Sequence, residues 1–213
     1  MAKLYYRYGA MSSGKSAYLL QAAYNYEISG RKVLIAKPNV DVKSGDEISS
    51  RLGISRKIDF LITPESNIFS MFNEANQNYM QTTGSPIACL LVDEVQFLTK
   101  EQINQLLKIS TLLNIPVIAF GIRTDFMTHG FEGSDRLLQI AHSIEEMVTI
   151  CSKCGQGKAT LNARKIDGEY TFEGEQVEID LNSDPNKKKK THNVTYESLC
   201  SSCYLKASEG KLG

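Results

Sequence analysis

The chain has 213 residues, 42% of them hydrophobic, which is enough for one core of moderate size and a small appended module but not for two full-sized domains. Lys plus Arg equal Asp plus Glu at 24 each, so no global positive field draws the chain toward nucleic acid or an anionic membrane. A small anionic ligand needs a local site.

The opening MAKLYYRYG reaches a glycine motif within ten residues, leaving no room for a basic n-region, an apolar h-region and a cleavage site. The longest apolar runs, IACLLV ahead of Asp93 and IPVIAFGI ending at Ile122, fall short of the roughly 20 residues that span a bilayer. The expectation is a cytoplasmic protein with no signal peptide, no membrane partner and no nucleic-acid partner.

In chain order, apolar runs of strand length alternate with segments of helical period. LYYRY precedes a helix over 14–29, and VLIA follows. FLIT precedes a helix over 66–80, IACLLV one over 99–114 and VIAFGI one over 134–147. Continuously apolar strands between helices are what a parallel sheet buried on both faces requires. Residues 1–147 are therefore expected to form an α/β domain, a parallel sheet with helices on both faces. Gly30 falls where the first helix needs a C′ residue, and Thr99-Lys100-Glu101-Gln102 reads as a capping box. Tyr5, Tyr6 and Tyr8 are read as packing residues of the first strand, and Cys89, inside an apolar run, as core.

Composition changes after Cys151. Long apolar runs stop, Gly, Lys, Asp and Asn dominate, and residues 148–213 read as a small C-terminal module. Its stretch DLNSDPNKKKKTHN holds one Leu and no other core-forming residue, so it is expected to be mobile. The lysine run at 187–190 is read as a solvated loop, because no aromatic residue interleaves it.

Gly9-Ala10-Met11-Ser12-Ser13-Gly14-Lys15-Ser16 satisfies G-x-x-x-x-G-K-[ST] between a strand and a helix, the context that makes this a phosphate loop and the fold P-loop NTPase-like. Its backbone N–H groups and the helix N-terminus attract phosphate. Lys15 is expected to reach the β- and γ-phosphates of ATP, and Ser16 to ligate Mg²⁺. Asp93 ends a buried strand, where a P-loop enzyme holds its magnesium, and Glu94 beside it is the candidate base for a hydroxyl or water.

Cys151-x-x-Cys154 and Cys200-x-x-Cys203 form two chelating pairs, the arrangement of a closed, structural four-thiolate zinc site. Redox-active pairs are the other reading, but those sit at the start of a helix in a βαβ unit, and these do not. His129, His142 and His192 are too scattered to form a group.

The blocks LYYRYGAMSSGKS, LLVDEVQFL, IPVIAFGIRTDF with FEGS, TICSKC and YESLCSSC, in that order, resemble the zinc-containing (type II) thymidine kinases over nearly the whole chain. The resemblance implies Mg-ATP as donor, deoxythymidine as acceptor, a homotetramer and a zinc-held lasso over the nucleoside, making 148–213 a zinc-binding lasso module. It implies that Gly9 through Ser16, with Asp93, Glu94, Val95 and Gln96, bind the nucleotide, that Glu94 is the general base for the 5′-hydroxyl, and that Arg164 lies beside the phosphates. It further implies that Met11, Phe97, Phe126 and Phe131 line the nucleoside pocket, with Asp41 and the lasso residue Tyr196. Taken singly, the three phenylalanines could equally be core.

Two departures stand out. Lys43 occupies a position where the family has arginine, and keeps the charge without the planar fork. Asp180 and Leu181 replace the glycines of the family's lasso, followed by an insertion, where glycine permits close approach to the base. Two alternatives therefore stay open: a kinase for another deoxynucleoside, and a P-loop ATPase or regulator with a zinc interaction module.

Overall fold

The computed structural model describes residues 1–39, 47–176 and 193–213. The chain divides into two compact units. The first comprises Met1–Gly9, Gly14–Arg123 and Phe131–Met147, and the second Ala10–Ser13, Thr124–Gly130 and Val148–Gly213. No helix among the described residues is long and apolar enough to cross a membrane.

In the first unit the elements are β1 (Leu4–Tyr8), α1 (Lys15–Glu27), β2 (Val33–Pro38), β3 (Glu47–Ser49), β4 (Ser55–Lys57), β5 (Phe60–Ile62), α2 (Ile68–Thr83) and β6 (Cys89–Val92). After a 3₁₀ turn at Val95–Phe97 come α3 (Lys100–Leu112), β7 (Val117–Gly121), α4 (Glu132–Ile140) and β8 (Ser143–Glu146). Six strands make one sheet in the order β5-β2-β6-β7-β1-β8, every pairing parallel. β3 and β4 form a separate antiparallel pair.

The apolar runs are continuous because both faces of the sheet are covered. Alternation sends Leu34, Ala36, Leu90, Val92, Val117 and Ala119 into a cluster with Phe72 of α2, Leu106 of α3 and Leu137 of α4. Their neighbours Val33, Ile35, Cys89, Leu91 and Phe120 pack with Leu19, Leu20 and Ala23 of α1 on the other face. At roughly 25 cal/mol per Å² of apolar surface removed from water, this two-faced burial is the main force holding the sheet. Tyr6 and Cys89 are fully buried.

Local signals set the helix ends. Gly30 takes φ +73°, and bonds from its N–H to Glu27 O (2.9 Å) and from Arg31 N–H to Tyr26 O (3.1 Å) make a Schellman stop after α1. The capping box is present in full: Thr99 accepts from Gln102 N–H, and the Gln102 side chain accepts from Thr99 N–H. Asn67 caps α2 by accepting from Ser70 N–H at 2.9 Å.

The helix expected over 134–147 divides in two. α4 stops at Ile140, Ala141 turns extended, and Ser143–Glu146 becomes an edge strand beside β1. His142 secures the change: its N–H donates to Leu4 O at 2.9 Å, and its Nδ1 accepts from Leu4 N–H at 3.0 Å. Glu145 and Glu146 charge the outer edge, which discourages further strand pairing.

The second unit holds β9 (Thr149–Ile150), β10 (Lys158–Ala159), β11 (Leu161–Ile166), β12 (Glu169–Thr171), β13 (Val194–Leu199) and α5 (Ser201–Ala207). β12-β11-β13 is an antiparallel sheet, and β9 pairs with β10. Ala163, Leu199 and Tyr204 form its small core with Cys151, and Phe172 meets Tyr204 edge-on at 5.1 Å. Glu197 spans the sheet, accepting from Lys165 Nζ and Tyr170 OH, both at 2.6 Å. Lys165 first and Tyr170 second hold the Glu197 carboxyl below its ordinary pKa.

Candidate active site

In the first unit, β6 delivers two carboxylates to the C-terminal end of the sheet, where open α/β folds bind ligands. Asp93 N–H still bonds Ala36 O (3.0 Å), which keeps the residue in strand register and 3% exposed. Glu94 then takes φ +51°, a left-handed conformation uncommon outside glycine, and turns the chain into the 3₁₀ segment. Asp93 Oδ1 accepts from Glu94 N–H at 3.1 Å, and Oδ2 from Ser16 Oγ at 3.3 Å.

Lys15 opens α1. Its Nζ donates to Gly9 O at 3.1 Å, and the side chain is buried. Burial lowers the Lys15 pKa, while Glu94 and Asp93 oppose that shift. For Asp93, burial first and the Glu94 charge second push the carboxyl up to about 7, against smaller opposing effects from Glu94 N–H, Lys15 and Ser16. A hydroxyl and a buried carboxylate converging in this way suit a hard, oxygen-seeking Mg²⁺.

Gln96 is 3% exposed and lies between two partners. Its Nε2 donates to Glu94 Oε2 at 2.5 Å, and its Oε1 accepts from Ile122 N–H at 3.2 Å. Val95 is fully buried core. Phe97 and Phe131 also belong to this unit and meet edge to face at 5.7 Å.

In the second unit lie the middle of the phosphate motif, with Ala10, Met11, Ser12 and Ser13, and the residues Phe126, Arg164 and Tyr196. Ser12 takes φ +62°, and Ser13 N–H donates to Ala10 O at 3.3 Å, a tight turn. Arg164 is 2% exposed and lies 3.8 Å over the Phe126 ring. Its Nη2 donates to Glu173 O at 2.6 Å and its Nη1 to Glu175 O at 3.3 Å. Tyr196 stands opposite Arg164 in the β11–β13 register. Asp41, Lys43, Asp180, Leu181, His192 and the 187–190 lysines lie outside the described residues.

Two residues that sequence reasoning missed hold Met11. Asn162 Oδ1 accepts from Met11 N–H at 2.7 Å while its Nδ2 donates to Thr124 O at 3.2 Å. Ser198 Oγ donates to Met11 O. Asn162 and Ser198 are both buried, and they face each other in the register of β11 and β13. Two polar side chains paired across neighbouring strands were the available signal.

The four cysteines Cys151, Cys154, Cys200 and Cys203 converge, each offering a sulfur within 4.8 Å of the others. Cys154 Sγ and Cys200 Sγ are 3.9 Å apart, close to the ~3.8 Å edge of a tetrahedron with Zn–S bonds of about 2.3 Å. Gly157 N–H points at Cys154 Sγ from 3.5 Å, the kind of outer bond that steadies a thiolate ligand. The donor set fits a structural zinc.

The sequence model of the family described as thymidine kinase matches residues 2–204. A thymidine kinase of Lactobacillus johnsonii is 46% identical over 180 residues, covering 84% of this chain and 89% of that one. One from Lactococcus lactis is 37% identical over 207 residues, covering 97% and 98%. Among solved structures, an ATPase domain matches with a TM-score of 0.51 at 14% identity, over 79% of each chain, a likeness of fold alone.

Proposed function

The chain belongs to the thymidine kinase family, and from that premise we propose that it transfers the γ-phosphoryl group of ATP to the 5′-hydroxyl of deoxythymidine, giving dTMP and ADP for DNA synthesis by nucleotide salvage. The observation that carries the mechanism is the convergence of Lys15, Ser16 and Asp93, with Glu94 on the next residue.

The phosphate loop binds the donor, and Lys15 exchanges its bond to Gly9 O for phosphate oxygens. Ser16 and Asp93 would hold Mg²⁺, which would offset the negative charge of the phosphates. Glu94 accepts the proton of the 5′-hydroxyl as its oxygen attacks phosphorus, adding roughly 10²- to 10⁴-fold to the rate. In the first unit Phe97 and Phe131 offer aromatic edges to the nucleoside. In the second, Met11, Phe126 and Tyr196 are the candidates, with Arg164 keeping Phe126 in place. Zinc at the four cysteines is structural. A cytoplasmic homotetramer is part of the same proposal, and it rests on the family resemblance.

The test is ADP release measured with and without each deoxynucleoside. Release that depends on thymidine supports the proposal. Hydrolysis indifferent to nucleoside would favour an ATPase or regulator, and a preference for another deoxynucleoside would reassign the acceptor.

A further inference from the structure

The Glu94 carboxylate has two oxygens, and proton transfer to either requires that one be held in a fixed direction. We propose that Gln96 is the positioning residue for Glu94: its amide holds Oε2 and leaves Oε1 to take the proton of the acceptor hydroxyl. This rests on reading Glu94 as the base. In the step itself the O–H bond breaks, the proton goes to Oε1, the oxygen bonds to the γ-phosphorus, and ADP leaves.

The orientation of the Gln96 amide is determined by its surroundings. Ile122 N–H is a donor that cannot rotate, so the amide atom facing it at 3.2 Å is the oxygen, and the NH₂ group is thereby turned to Glu94. A flipped amide would set oxygen against carboxylate and N–H against N–H. Ile122 is itself held through its next peptide, its carbonyl accepting from Ser134 Oγ at 2.6 Å and Tyr6 OH at 3.2 Å. A chain of bonds therefore runs from buried Tyr6 and Ser134 through Ile122 and Gln96 to the candidate base.

The packing is shaped around this amide. A Cβ at residue 121 would come within 2.6 Å of Gln96 Oε1 and 2.9 Å of Val95 Cγ2, so only glycine leaves the amide its place at the end of β7. An apolar side chain could fill the same volume without making either bond. A buried amide that uses both of its ends, with one end on a half-buried carboxylate, does more than fill space.

The experiment is steady-state kinetics of Gln96→Met, Glu94→Gln and the double variant, with melting curves for each. Gln96→Met is expected to lower kcat roughly 10- to 100-fold, with both KM values within about twofold. In the Glu94→Gln background the same change should cost less than about twofold, because residues acting as a unit are not additive. Equal losses in both backgrounds, or an unchanged kcat in Gln96→Met, would overturn the inference. Gln96→Leu, close in volume and able to make neither bond, covers the case of a misfolded Met variant. It should lose kcat at least as far, and full activity there would also overturn the inference. If Glu94→Gln alone keeps turnover within a few-fold, the base reading itself fails, on a variant in which Gln96 is untouched.

Discussion

Ser16 Oγ and Asp93 Oδ2 stand 3.3 Å apart, joining the first turn of α1 to the end of β6 across 77 positions of sequence. The bond holds the two candidate magnesium ligands together ahead of the ion, so less order has to be created on binding.

The raised pKa of Asp93 gives a pH dependence with a definite sign. Burial in the fold pushes this carboxyl up to about 7, whereas an unfolded Asp ionises at about 3.9. Its contribution is fully present below the unfolded value and is lost as pH rises through the folded one. Asp93→Asn keeps the acceptor without the charge, so its melting temperature should gain on wild type between about pH 4 and 7 and then level off. A difference that stays flat across that window, measured by calorimetry, contradicts the assignment.

Arg164→Met should retain contact with Phe126 but strip the partners from Glu173 O and Glu175 O. Charge-assisted bonds of this kind contribute roughly 1.5–3 kcal/mol each, so the variant is expected to melt several degrees lower and to bind thymidine with a KM raised about tenfold. Arg164→Lys should rescue little, because one ammonium cannot reproduce a fork with two directed donors. Near-complete rescue by lysine would show that charge alone matters there.

Asn162→Ala removes the acceptor for the half-buried Met11 N–H inside the phosphate motif, at a cost of about 1 kcal/mol. The KM for ATP is expected to rise about tenfold, more than kcat falls, since Met11 would lose its fixed position before chemistry begins. Ser198→Ala, which frees the Met11 carbonyl, should act in the same direction. A defect confined to thymidine would show that Met11 serves the nucleoside and not the phosphates.

The cysteine cluster should carry one zinc per chain by elemental analysis. Structural zinc contributes on the order of 10 kcal/mol to small modules, so chelation should expose the second unit to trypsin at Lys153 and Lys158. Cys200→Ser with Cys203→Ser should do the same. Unchanged protection after complete loss of the metal would rule out a structural role.

The sheet was largely legible because continuous apolar strands and period-3.6 helices leave unlike patterns, and because Thr99, Gln102 and Gly30 are local signals. β8 was not, since Leu137, Leu138, Ile140 and Ile144 continue a helical spacing, and tertiary bonds to β1, beginning with those of His142 to Leu4, break it. β11 and β13 hid for a related reason: in LNARKI and VTYESL polar residues occupy half of the positions, and Asn162, Arg164 and Ser198 are buried because they find partners. The acidic pair and the cysteine spacing could be read directly. The roles of Gln96, Asn162 and Ser198 could not, because each depends on backbone groups that only folding brings near.

Glu94 occupies a left-handed backbone position where glycine would rest without the strain of order 1 kcal/mol or more that a side chain carries there. Glu94→Gly would relieve that strain, but it would also strand the buried Gln96 amide whose bond Glu94 Oε2 accepts, at a cost of about 1–3 kcal/mol, and remove the candidate base. The side chain therefore keeps its awkward backbone for the bond it makes as well as for the proton it is placed to take.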